Sequence, residues 1–199
     1  MSGMRRLPCG SVTFVFTDIE GSTRLAQVLG AEYGSVLHRH RKVLRRAWRA
    51  GGGVEVDTLG DSTFAAFADA DAALHACRLA QQALAAEQWP ESYARPRVRI
   101  GIHSGRAWPH GGEYATAEVH LAARVVAAAH GDQVLCTAAT ARAAGELPGD
   151  LVLWDLGPHL LRGFHPAERL FQLVAPGWER HFPPLRTEPL APSGLTVAA

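Results

Sequence analysis

Residues 11–17 (SVTFVFT) form a β-branched and aromatic run that ends in the polar stretch 18–23 (DIEGST). That pattern predicts a strand feeding a helix, with Gly21 in the turn and Ser22 as the helix N-cap. From 23 to 50 the apolar positions recur at helical spacing: Leu25, Val28 and Leu29, then Val36, Leu37, Val43, Leu44 and Trp48. Gly30 and Gly34 interrupt this helix, and the run Gly51, Gly52, Gly53 stops it. Two short strand-like runs, 54–59 and 63–67, flank Gly60, Asp61 and Ser62, which is hairpin chemistry with Asp61 at the tip. An alanine-rich helix follows over 70–88, and 97–104 (RVRIGIHS) alternates arginine with apolar side chains before a turn at Gly105, the pattern of a strand with one buried face. A helix over 115–129, a short strand over 133–136, a helix over 137–144 and strand-like stretches within 151–174 complete the pattern.

The leading order, βα then ββ then αβ, is that of the split βαβ unit. The fold class expected is therefore α+β, a ferredoxin-like βαββαβ core extended by a C-terminal helix and strands. In such a core the first strand lies beside the third, so Asp18 at the end of the first and Asp61 in the turn before the third reach the same edge of the sheet. The chain divides into an N-terminal lead (1–10), one domain (11–175) and a proline-rich tail (176–199) without periodicity, expected to be peripheral or disordered.

Composition narrows the chemistry. A chain of 199 residues, 47% hydrophobic and 20% charged, supports one core. A formal net charge of +1 gives no broad positive field for nucleic acid, and the strands lack the interleaved aromatics of an RNA-binding sheet. The basic residues of 39–49 (Arg39, Arg41, Lys42, Arg45, Arg46, Arg49) read as the solvated face of a helix, with a partner or anionic-ligand surface as the alternative. Cys9, Cys77 and Cys136 form no CxxC pair, which fits a reducing cytoplasm. No apolar run approaches the roughly 20 residues that span a bilayer, so a cytoplasmic chain without membrane insertion is expected. Among ten histidines, His38 and His40 are two apart and do not share a helix face, no HExxH occurs, and His103 reads as structural.

The acid pair is the strongest chemical signal. Two carboxylates at converging strand ends repel unless a cation lies between them, and magnesium held by one or two carboxylates plus substrate phosphates is the usual arrangement in phosphoryl transfer. From spacing alone an alternative stands beside this: Asp18 caps the next helix and Asp61 only supplies a turn.

Four motifs lie in order: 16–23 (FTDIEGST), Gly60-Asp61 after a strand, 101–105 (GIHSG), and Ala122-Ala123-Arg124 on a helix. Together they resemble the class III adenylate and guanylate cyclases, particularly bacterial ones, from about residue 12 to 174, where Leu161-Arg162-Gly163 and 170–173 (LFQL) are also similar. The resemblance implies a homodimer with two interfacial sites, each taking metal ligands from one chain and other catalytic residues from its partner. It implies two divalent ions, Mg2+ or Mn2+, on Asp18 and Asp61 with the Ile19 carbonyl. One ion would activate the ribose 3′-hydroxyl and the other would hold the triphosphate. Gly21, Ser22 and Thr23 would offer backbone amides to the phosphates. Arg124 would steady the charge developing on the transferred phosphoryl group, and Arg162 would reach the terminal phosphates.

Three positions depart from the family pattern. Asp57 stands where adenylate cyclases carry an adenine-recognising lysine, Glu113 where they carry an aspartate or threonine, and His120 where an asparagine holds the ribose. His120 and Arg124, four apart, share a helix face. Neither purine satisfies two acids, because an acceptor facing an acceptor costs about 1–3 kcal/mol in a desolvated pocket. Base choice is then loose, or the acids face solvent. The expected activity is a lyase, the conversion of ATP, less readily GTP, to 3′,5′-cyclic nucleotide and pyrophosphate in intracellular signalling. The alternative is a silent homologue that binds nucleotide or serves as a regulatory dimerisation module.

Overall fold

A computed structural model describes residues 6–147 and 149–190. The element order is β1 (Gly10–Ile19), α1 (Ser22–Leu29), a 3-10 turn (Gly30–Glu32), α2 (Tyr33–Ala50), β2 (Val54–Leu59), β3 (Ser62–Phe67), α3 (Ala70–Ala86), a 3-10 turn (Ser92–Ala94), β4 (Val98–Ala107), α4 (Ala117–Ala128), β5 (Val134–Thr137), α5 (Ala138–Ala144), β6 (Val152–His159) and β7 (Glu168–Val174). The strands make one sheet in the order β2-β3-β1-β4-β5-β7-β6. Its first four strands are the expected ferredoxin-like unit, all antiparallel neighbours, and β5 joins β4 in parallel.

Strand β1 is central, so successive side chains alternate between two buried faces. Val15 and Ile19 pack with Leu44, Trp48, Leu74 and Leu84 of α2 and α3 on one face. Val12 and Phe14 pack with Ala122 of α4 and Tyr114 on the other. Among the described residues α4 is the one helix on that second face of the ferredoxin-like unit, and Phe16 and Phe64 at its margin remain half-buried. No helix among the described residues is long and apolar enough to cross a membrane.

Three boundaries differ from the sequence reading. The helix expected over 23–50 is two helices joined by a 3-10 turn, because Gly30 takes a positive φ of 52°. Strand β4 runs through Gly105 to Ala107 rather than turning there, since its pairing with β1 continues to Gly10↔Ala107. Ser22 is the first helical residue, not the cap: Gly21 is the N-cap, left-handed at φ 66°, and no side chain caps the helix. Of the tail, 176–190 lies against the domain and 191–199 falls outside the described residues.

Candidate active site

Asp18 lies one residue before the end of β1, and Asp61 in the Gly60-Asp61 turn between β2 and β3. The antiparallel register Thr17↔Thr63 brings the two together. Asp61 Oδ2 accepts the Ile19 N–H at 3.1 Å, and Ser62 Oγ donates to Asp18 Oδ1 at 3.1 Å. Arg99, directly opposite Asp18 in the β1–β4 register, pairs its guanidinium with the Asp18 carboxylate. Both side chains are largely buried, 19% and 23% exposed, and Arg99 Nε has no partner among the described residues. The carboxylate pair therefore carries a compensating positive charge, here supplied by an arginine that the sequence reading did not single out. Its all-oxygen donor set suits Mg2+ or Mn2+, which complete their shells with phosphate and water oxygens.

A cleft of about 430 Å³ opens beside the pair, lined by Phe16, Asp18, Asp57, Phe64, Arg99 and Ala123. The Phe16 and Phe64 rings stack with centroids 4.3 Å apart and planes 9° apart, giving the cleft an aromatic wall. Asp57 stands on β2 beside a register shift, exposed, with Oδ1 accepting the Thr58 N–H at 2.7 Å. Strand β2 thus puts Asp57 and Asp18 in one cavity. Glu113 is exposed in the loop between β4 and α4, its backbone exchanging hydrogen bonds of 2.8 and 3.1 Å with His110 across Gly111 and Gly112. His120 and Arg124 are exposed on α4, and their side chains make no hydrogen bond or ion pair among the described residues. Arg162 sits in the exposed turn after β6, the strand at the far edge of the sheet from β2. One chain thus brings Asp18 beside Asp61 and puts Asp57 in the same cleft as Asp18, while Glu113, His120, Arg124 and Arg162 are exposed and do not line that cleft.

Residues 4–168 match the family described as Adenylate and Guanylate cyclase catalytic domain. The chain belongs to that family. An uncharacterized protein of Mycobacterium tuberculosis is 36% identical over 194 residues, covering 96% of this chain and 65% of that protein, so the chain spans under two thirds of that relative. An adenylate cyclase of Mycosarcoma maydis is 34% identical over 154 residues, covering 65% of this chain and 6% of that protein. Among solved structures, an adenylate cyclase from Trypanosoma brucei in its monomeric state superposes with a TM-score of 0.77 at 27% identity, covering 94% of this chain and 99% of that one. The adenylyl cyclase CyaB from P. aeruginosa shares the fold, with a TM-score of 0.67 at 21% identity over 83% of this chain and 94% of that one.

In this cyclase domain α4 is seated on β4 through residues of the GIHSG motif. A Cβ on Gly101 would lie 2.2 Å from the backbone nitrogen of Val126, so only glycine permits the approach. Two residues on, His103 Nε2 lies 2.5 Å from Glu118 Oε2 of α4, and its Nδ1 lies 2.8 Å from Thr137 Oγ1, the N-cap hydroxyl of α5. His103 is thus structural, as the sequence suggested, and it fixes the helix that carries His120 and Arg124.

Beneath the other side of the sheet, His40 of α2 is fully buried, and neither ring nitrogen has a partner among the described residues. Burial pushes its pKa down to about 4, against the opposing pull of the Asp61 charge. The unfolded chain therefore binds a proton between pH 6.5 and 4 that the folded cyclase domain does not, and stability falls as pH drops through that window. His40→Leu should flatten this slope and raise stability by about 1–2 kcal/mol, because an unpaired buried polar group costs that much. Urea denaturation at pH 7 and pH 5 measures both effects. An unchanged slope would place the titration elsewhere.

Proposed function

We propose that this cyclase domain converts ATP, with GTP the less favoured substrate, to 3′,5′-cyclic nucleotide and pyrophosphate in intracellular signalling, at two sites formed between two copies of the chain. The observation that supports this most is the convergence of Asp18 and Asp61, with Asp18 lining an aromatic-walled cleft. Asp18, Asp61 and the Ile19 carbonyl would hold two divalent cations, which would supply Lewis-acid activation of the ribose 3′-hydroxyl and neutralise the triphosphate. The chain's own groups do the rest. The amides of Gly21, Ser22 and Thr23 bind phosphate oxygens at the start of α1. O3′ bonds to the α-phosphorus, the bond from that phosphorus to the bridging oxygen breaks, pyrophosphate leaves, and the hydroxyl proton passes to water. Arg124 holds the charge that grows on the α-phosphoryl oxygens, His120 donates to the ribose, and Arg162 faces the departing phosphates. The base stands on Phe16 and Phe64, with Glu113 available to accept from the adenine N6 amino group and Asp57 facing the N1 acceptor, which keeps base choice loose.

The exposure of His120 and Arg124 supports a shared site, because these side chains lack hydrogen-bond and ion-pair partners among the described residues. Incubation with ATP or GTP and manganese, with cyclic product followed by mass spectrometry on a preparation of confirmed dimers, tests the activity. The division of labour has its own test, mixing Asp61→Ala chains with Arg124→Ala chains. Random pairing makes half the dimers mixed, each with one intact site of two, so activity should return to roughly a quarter of wild type from two inactive stocks. No recovery would place both residues in one chain's site. Nucleotide binding without turnover would instead favour the silent homologue, a reading that the negative charge of Asp57 beside Asp18 supports.

A further inference from the structure

Beyond residue 168, where the family match ends, the chain completes β7 and returns across the domain as a strap. Gln172 Nε2 donates to the Arg180 carbonyl at 3.1 Å, and Trp178 packs on the main core. The Phe182 ring lies nearly parallel to the His130 imidazole, centroids 6.4 Å apart, and His130 Nε2 donates to the Pro184 carbonyl at 3.1 Å. Leu185 packs into the cluster formed by Leu121 and Val125 of α4, and the Glu188 N–H donates to the Leu160 carbonyl at 2.9 Å. These anchors fix the course of the strap on both sides of Arg186.

Arg186 touches two elements at once. Its backbone N–H donates to the carbonyl of Ala128, the last residue of α4, at 3.1 Å, filling one of the acceptors a helix end leaves open. Its guanidinium pairs with the carboxylate of Glu20. Glu20 joins β1 to the turn that begins α1: its N–H donates to the Arg97 carbonyl at 2.9 Å, and its carboxylate lies 3.5 Å from Arg97 Nη1. The groups are packed closely, since a Cβ on Gly131 would come within 2.7 Å of Glu20 Oε2. One residue of the strap thus holds the start of the Gly21–Thr23 turn with its side chain and the end of α4 with its backbone.

We propose that Arg186 is a positioning residue of the active site. By joining Glu20 to the end of α4, it sets the placement of the phosphate-facing turn of one site against the helix whose His120 and Arg124 serve the other site of the dimer. The inference rests on the phosphate role given to that turn under the proposed function. Its chief effect falls on substrate binding, because the turn meets phosphates in the ground state as well as in the transition state.

The test uses the full chain with Arg186→Ala, Arg186→Lys, Glu20→Gln, the Glu20→Gln/Arg186→Ala double variant, and Arg180→Ala as a strap arginine of the same charge. Hydrogen exchange without nucleotide, and KM and kcat for ATP with manganese, are the readouts. Arg186→Ala should speed exchange in 19–25 by about three- to tenfold and raise KM by about three- to tenfold, with kcat within about twofold, the scale of one partly exposed charge-assisted bond. Arg186→Lys should restore most of both, Arg180→Ala should match wild type, and adding Arg186→Ala to Glu20→Gln should change nothing further. Unchanged exchange in 19–25, a uniform rise over the whole domain, or an equal effect from Arg180→Ala would each overturn the proposal. A wild type that makes no cyclic nucleotide would sink the proposed function, while the exchange arm would still decide the role of Arg186.

Discussion

Gly101→Ala is expected to cost at least about 3 kcal/mol and to abolish activity together with stability, because the added methyl has nowhere to go. Its neighbours are the Val126 nitrogen at 2.2 Å, the Val126 Cα at 2.6 Å and the Val125 carbonyl carbon at 2.8 Å, all backbone of α4. No rotamer change relieves a clash with backbone. Helix α4 must lift from β4, uncovering Leu121, Val125 and Ala128, which are now buried. Gly105→Ala is the internal comparison. There the new Cβ meets Glu118 Oε2 at 2.4 Å, the end of a side chain that can swing away, so a milder loss of about 1–2 kcal/mol is expected as the contact with His103 is broken. Urea denaturation and near-ultraviolet circular dichroism rank the two. Equal stability of both variants would mean that α4 is not held by close approach at Gly101.

Asp61→Asn should lower kcat by about a thousandfold or more while leaving the fold intact. The asparagine keeps its shape and an oxygen able to accept the Ile19 N–H, so the turn is preserved. What it removes is one of the two charges that, under the proposed function, attract a divalent cation, and several kcal/mol of transition-state stabilisation is worth that factor in rate. Asp18→Asn should be as damaging to activity but harder on the fold, because it leaves the Arg99 guanidinium without its carboxylate in a largely buried place. Product formation across a manganese titration, alongside thermal denaturation, separates these outcomes. Retention of more than about a tenth of the rate by Asp61→Asn would remove the metal role from that residue.

The meeting of Asp18 and Asp61 was legible in the chain because their position follows from topology. The split βαβ order alone requires the end of β1 and the tip of the β2–β3 hairpin to meet, and Asp18 and Asp61 do. Arg99 was hidden in plain view among the alternating arginines of 97–104. Its partner depends on the register of two strands far apart in sequence, which composition does not encode. The basic face of α2 looked uniformly solvated, yet it divides. Arg45 grips Glu55 of β2 at 2.6 and 2.8 Å, Arg41 reaches the Gly60 carbonyl, and Lys42, Arg46 and Arg49 stay exposed. His40 was read only as failing to share a face with His38, and the fold shows which of the two is inside. The proline-rich tail carried no periodicity to read, because its order comes from isolated anchors such as Phe182 on His130 rather than from a repeating buried stripe.

The central place of β1 also bears on how the domain is made. Residues 7–17 carry no charge, and Val12, Phe14 and Val15 end up wholly buried between two layers. Yet Arg99, the partner of Asp18 across the sheet, lies 81 residues later, so on a ribosome this apolar strand emerges long before the strand that will cover its edge. A contact so distant forms late, while the β2–β3 hairpin can close locally. During that interval β1 is a segment of the kind that seeds aggregation, its gatekeeping charges confined to Arg6 before the run and to Asp18 and Glu20 at its end. The acids that give the cleft its chemistry, starting with Asp18 at the end of that run, are then among the last groups to find their neighbours.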